Sequence, residues 1–174
     1  MKTINKPLQI QWHEGEQRIR EETQWLCKII DTFSEKEKHP PSGCRHCYLR
    51  NIATLIVQGN ISATEIKKDE SLESFWLPLF SHSRSKIYHG SDWHQETMER
   101  IENHLITQSF QVVREPTLQQ GRADLGAYKY GELDLLIEVG TVSLYKLAIN
   151  LMVMERFTYL IVPNDDLLIE FIKP

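Results

Sequence analysis

The sequence predicts an α+β fold, with a helical N-terminal part leading into a domain whose central mixed sheet is flanked by helices. Three observations carry this expectation. Apolar residues recur at helical spacing through the first sixty positions, whereas short β-rich runs separated by turn residues fill the last sixty-five. The chain is 174 residues long, 41% apolar and 25% charged, which suits one compact domain or one domain with an appendage. The boundary between the parts, 1–90 and 91–174, is placed where a greasy, then serine-rich stretch gives way to a regular pattern.

From Glu16 to Ser34, Ile19, Leu26, Ile29, Ile30 and Phe33 fall on one face of an amphipathic helix. The charge run and double proline of residues 35–43 end it. Tyr48, Leu49, Ile52, Ala53, Leu55 and Ile56 mark a second helix over 44–58, stopped by Gly59-Asn60. Ser62-Ala63-Thr64-Glu65 has capping-box form and is read as opening a short third helix. Asp92 caps a helix running to about Gln108, with Trp93, Met98, Ile101, Leu105 and Ile106 facing inward. Strands follow at 110–114, 125–128 and 133–139, then a helix at 144–156, then strands at 159–162 and 167–172, giving the order α-β-β-β-α-β-β.

Charge is uneven along the chain. Residues 1–90 hold 13 Lys/Arg against 11 Asp/Glu, and residues 91–174 hold 7 against 13. The acidic second half argues against a broad, sequence-blind nucleic-acid surface, because phosphate binding displaces counterions only where positive charge is concentrated. The first ten residues lack a secretory pattern and the longest uncharged apolar run, Phe75 to Phe80, is far too short to span a bilayer, so an intracellular, cytoplasmic protein without membrane contact is expected. There is no P-loop, dinucleotide fingerprint or nucleophile elbow, and no nucleotide cofactor is expected.

The chemistry-bearing residues of the second half are carboxylates. Asp124 opens one strand and Glu138 lies near the end of the next, so an antiparallel hairpin brings both to one end of the sheet. Two such oxygen donors suit Mg²⁺, or Mn²⁺, which could activate water and stabilise charge in phosphodiester cleavage. The bland alternatives are a turn residue for Asp124 and a solvated strand end for Glu138.

With the helix Glu99 to Ile106, the strand Phe110-Gln111-Val112-Val113-Arg114, Arg122-Ala123-Asp124-Leu125 and Ile137-Glu138-Val139 in place, residues 91–174 resemble the PD-(D/E)xK nuclease superfamily. The similarity is to its archaeal Holliday-junction-resolvase-like and restriction-endonuclease-like branch. The resemblance implies a restriction-endonuclease-like α-β-β-β-α-β core and a metal held by Asp124 and Glu138. It also implies an auxiliary helix carboxylate, matched to Glu99, which otherwise reads as part of a solvated acidic face with Glu96 and Glu102. The lysine that the family carries two positions after the glutamate is replaced here by Gly140. Lys146, in the following helix, or Lys129, in the hairpin turn, could stand in for it; otherwise the fold is kept and cleavage is lost.

Cys44 and Cys47 flank Arg45-His46 at the start of the second helix. With Cys27 and His39 they would complete a Cys₃His set for a structural Zn²⁺ stapling the helical part; the alternative is that these small residues pack in a helical core. The other histidines, His13, His82, His89, His94 and His104, share no spacing, and His94 and His104, on the helix with Glu99, are read as facing water.

The expectation is therefore a metal-dependent DNA endonuclease, with Asp124, Glu138, Lys146 and Glu99 as its catalytic residues. The alternative is a catalytically inactive nuclease-fold protein that binds nucleic acid or protein. Cations for a DNA groove would come from Arg45, Arg50, Lys67, Lys68, Arg84 and Lys86. A homodimer would place two sites on two strands, with Phe75 to Phe80 as its contact.

Overall fold

The computed structural model describes residues 8–33, 44–68, 75–76 and 92–174, and in the first helix the side chains of residues 13–29. The first helix, α1 (Leu8–Phe33), buries Leu26 and Ile29 and is followed by α2 (Arg45–Val57), which buries Leu49, Ile52 and Ala53. Cys44 is the N-cap of α2 and Gly59, at φ +74°, follows its C-cap residue Gln58, as a helix-ending glycine should.

The segment after α2 corrects the sequence reading. Ser62–Lys67 is a strand, β1, and no helix starts at the Ser62-Ala63-Thr64-Glu65 box. It pairs antiparallel along its whole length with β6 (Leu167–Lys173), from Ser62↔Ile172 to Lys67↔Leu167. A ladder to a ready sheet edge satisfies every alternate backbone group over six residues, which outweighs the one or two donors that a capping box saves.

The remaining elements follow the expected order: α3 (Asp92–Thr107), β2 (Gln111–Arg114), β3 (Leu125–Tyr128), β4 (Asp134–Val139), α4 (Leu144–Val153) and β5 (Phe157–Asn164), before β6. The six strands form one mixed sheet in the order β1-β6-β5-β4-β3-β2, antiparallel throughout except for β4 and β5, which α4 connects in parallel. Alternation along the strands builds two cores. Leu136, Phe157, Tyr159, Ile161, Ile169 and Phe171 meet α1, α2 and α4 on one face. Leu125, Ala127, Leu135, Ile137, Val139, Leu160, Val162 and Leu168 meet α3 and Trp76 on the other.

The boundary near residue 90 lies outside the described residues. On its two sides, β1 hydrogen-bonds to β6, and Leu26, Ile29, Leu49 and Ile52 share a cluster with Leu136 and Leu147. Of the Phe75 to Phe80 stretch, Leu77 to Phe80 lie outside the described residues. Trp76 is buried against the α3 face and Phe75 is 40% exposed. Trp76 is therefore a core residue of the α3 face. No helix among the described residues is long and apolar enough to cross a membrane.

Candidate functional site

The C-terminal end of β4 is where the acidic residues gather. The ladder pairs Leu125 with Ile137, and carried one step further it sets Asp124 opposite Glu138. Asp124 lies just past the end of β3, where its backbone N–H donates to the Ile137 carbonyl at 3.0 Å. Its Oδ2 accepts from the Val139 N–H at 2.7 Å and stands 3.4 Å from Nε2 of His94 on α3. The carboxylate is thus held at the rim by backbone and helix together, with its side chain 19% exposed.

Glu138 points to the α4 face and is 2% exposed. An ionised carboxylate in such a place needs partners, and it has two. The Tyr159 hydroxyl donates to its Oε1 at 2.7 Å, and the Lys146 ammonium stands 2.5 Å from the same oxygen. Burial pushes the Glu138 carboxyl above its ordinary range; Lys146 and Tyr159 pull it back, and the nearby charge of Asp124 adds to the rise. Burial and the Glu138 charge also push the Tyr159 phenol up, so it remains a donor.

Lys146 reaches Glu138 because of how α4 begins. Ser143 is its N-cap, its hydroxyl accepting from the Lys146 N–H, so Lys146 occupies the first turn. The short hop 140–143 brings that turn back over the end of β4. The Lys146 ammonium also donates to the Arg122 carbonyl, and its methylenes pass Gly121, where a Cβ would sit 3.5 Å from them. Lys129, the other substitute considered, is at the opposite end of the sheet, its ammonium 5.2 Å above the Phe110 ring. The structure brings Lys146 to Glu138 and leaves Lys129 at the far end of the sheet.

Position 140, where the resemblance would put a lysine, has a backbone requirement of its own. Gly140 has φ +89° and donates its N–H to the Val162 carbonyl at 2.8 Å, a backbone conformation that side-chain-bearing residues rarely adopt. Among the described residues a Cβ there would meet only Trp93, at 3.9 Å, so the cost is conformational and not steric. Gly140→Ala is expected to lower stability by about 1–2 kcal/mol, and Gly140→Lys by as much, in equilibrium denaturation. A stabilising or neutral Gly140→Lys would refute the strain account.

Glu99 does not join the site. It is exposed on α3, where its charge acts on Arg114, which forms an ion pair with Glu102. The inward phase of the helix is carried by Trp93, His94, Thr97, Met98, Ile101 and Leu105; Ile106, expected inside, is 55% exposed. His94, expected to face water, is 6% exposed and is the α3 residue that touches Asp124. The signal was available: His94 stands four residues before Met98 and seven before Ile101.

Cys27, Cys44 and Cys47 are all exposed, so they do not pack in a helical core; His39, the fourth member of the expected zinc set, lies outside the described residues. The thiols of Cys44 and Cys47 interact with each other, the backbone N–H of Cys47 pulling Cys44 down and the Cys44 thiol pushing Cys47 up. Among the described residues, no group of three or more His, Cys, Asp or Glu could hold a metal ion. At the rim the carboxylates of Asp124 and Glu138 are each engaged by protein donors, Asp124 by the Val139 N–H and Glu138 by Tyr159 and Lys146. By donor chemistry, carboxylates are what Mg²⁺ takes one or two of before completing its shell with water and substrate oxygens, whereas Zn²⁺ prefers Cys and His.

Of the cations expected to serve a DNA groove, Arg50 is paired with Glu16 at 2.9 Å, and Arg84 and Lys86 lie outside the described residues. Lys67 ends β1 and Lys68 follows it, at the same end of the sheet as Glu138 since β1, β4 and β5 run in the same direction, and they pair with Glu65 at 3.9 Å and Asp166 at 3.8 Å. Comparison of the chain with protein-family models, with curated proteins and with solved structures finds no match to any of them.

Proposed function

We propose that the chain is a metal-dependent DNA endonuclease of the PD-(D/E)xK type, with its lysine moved from the strand to the following helix. The single observation that carries this reading is the ion pair of Lys146 with the buried Glu138, at the rim where the register sets Asp124 opposite. A bound Mg²⁺ or Mn²⁺ would supply an acidified water and positive charge at the scissile phosphate. Asp124 and Glu138 would hold it. Asp124 is fixed for that task by the Val139 N–H, and Glu138 by the Tyr159 hydroxyl. Lys146, a first-turn residue anchored to the Arg122 carbonyl, would orient the attacking water and offset the charge that builds on the phosphate oxygens.

The test is cleavage of linear and branched DNA by the purified chain with Mg²⁺ or Mn²⁺, alongside calorimetric titration of the metal. Asp124→Asn, Glu138→Gln and Lys146→Met, each checked for folding, are expected to lower the rate by roughly 10²- to 10³-fold or more. A second reading rests on one observation: the Lys146 ammonium already spends hydrogen bonds on Glu138 and on Arg122. On that reading the fold is a binding module for nucleic acid or protein. Absence of cleavage together with absence of divalent-ion binding would establish it over the enzyme.

A further inference from the structure

At the other end of β4, on the α3 face, lies a cavity of about 420 Å³. Its floor is Leu135 and its walls are Phe75, Trp76 and Phe110. The rings do not stack. Phe75 meets Trp76 at 84° with centroids 4.6 Å apart, and meets Phe110 at 59° with centroids 6.4 Å apart. A flat heterocycle needs parallel faces on which to lie; rings at steep angles make the sides of a box, the geometry that surrounds a compact cation with π-density.

Charge points the same way. Glu170 of β6 lines the cavity, accepting from the Trp76 indole N–H at 3.2 Å, and Glu132 lines it as well, against one cation among the described residues, Lys129. That cation already uses the box: its ammonium stands over the Phe110 ring. We propose that this cavity is a binding site for a small molecule carrying an alkylated ammonium group, with Phe75, Trp76 and Phe110 enclosing the cation and Glu170 balancing its charge. The volume lies in the range of small-ligand sites. Burial lifts the Glu170 carboxyl above its ordinary range, partly offset by the Trp76 N–H, and an arriving cation would relieve that burial cost. The site is separate from the carboxylate rim and does not depend on the nuclease reading.

The test uses choline and its uncharged carbon isostere, 3,3-dimethylbutanol, followed through their methyl resonances in ligand-observed NMR with the full chain. Choline is expected to saturate the site and the isostere to bind about tenfold more weakly or not at all. Glu170→Gln and Phe75→Leu, the latter at a half-exposed position, are each expected to weaken choline about fivefold or more, and Lys129→Met to tighten it by removing the competing ammonium. Failure of choline to saturate, equal binding of the isostere, or weakening in Lys129→Met would each overturn the assignment. So would saturation by a short peptide bearing trimethyllysine where choline fails, since the ligand would then be a protein side chain.

Discussion

Replacing Lys146 by methionine is expected to cost about 3–5 kcal/mol of folding stability at neutral pH, the scale set by leaving a buried charge without its partner. The methionine fills the same methylene path past Gly121 but leaves Glu138, 2% exposed, with only the Tyr159 hydroxyl. The carboxyl can escape by taking a proton, and its tendency is already in that direction. Because the folded form then binds a proton that the unfolded form releases, stability falls as pH rises from the ordinary carboxylate range toward the raised value. The deficit of Lys146→Met is therefore expected to be small near about pH 5 and full near about pH 8. Combining it with Glu138→Gln, which removes the stranded charge and keeps the Tyr159 hydrogen bond, is expected to recover most of the loss at high pH. Urea denaturation of the wild type, both single variants and the double variant at the two pH values measures all of this. A Lys146→Met deficit independent of pH would mean that Glu138 is not the group it serves.

Much of this arrangement is legible in the sequence, for a physical reason. A buried strand such as Leu135-Leu136-Ile137-Glu138-Val139 announces itself by its apolar run, and the one charge within it must be explained. The helix beginning at Leu144 is close enough in sequence for its first turn to supply the partner. Other features depended on information that a local window lacks. Ser62–Lys67 carries helix-opening residues, and only the free edge of β6, over a hundred positions away, makes it a strand. The resemblance matches Glu99 to a site carboxylate, whereas the helical phase set by Met98, Ile101 and Leu105 turns His94 to Asp124 and Glu99 away from it. The need for glycine at 140 is a backbone requirement of the β4 exit, and a letter that departs from a motif cannot by itself say whether the chemistry was lost or moved.

The loop that carries the Arg122 carbonyl is the other element on which Lys146 depends, and Asn150 ties it down. Asn150 is fully buried on α4. Its Oδ1 accepts from the Gln120 N–H at 2.9 Å and its Nδ2 donates to the Gln120 carbonyl at 3.0 Å, so one side chain satisfies both backbone groups of one loop residue. The loop closes on itself through Leu118 N–H to Gly121 O at 2.9 Å and Ala123 N–H to Pro116 O at 3.1 Å. Gly121, at φ +76°, allows the turn that presents the neighbouring Arg122 carbonyl to Lys146. Asn150→Leu keeps the volume but strands a donor and an acceptor, each worth about 1–3 kcal/mol when left unpaired and buried. Gln120 is only half-buried and recovers some of this from water, so a net loss of about 2–4 kcal/mol is expected. Gln120→Ala, which touches none of these backbone bonds, is expected to stay within about 0.5 kcal/mol of the wild type. If the loop holds Lys146, the losses of Asn150→Leu and Lys146→Met combine to less than their sum in a double-mutant cycle, and the Gln120 amide exchanges faster in Asn150→Leu. Strict additivity with unchanged exchange would mean that Asn150 stabilises α4 alone and has no part in placing the lysine.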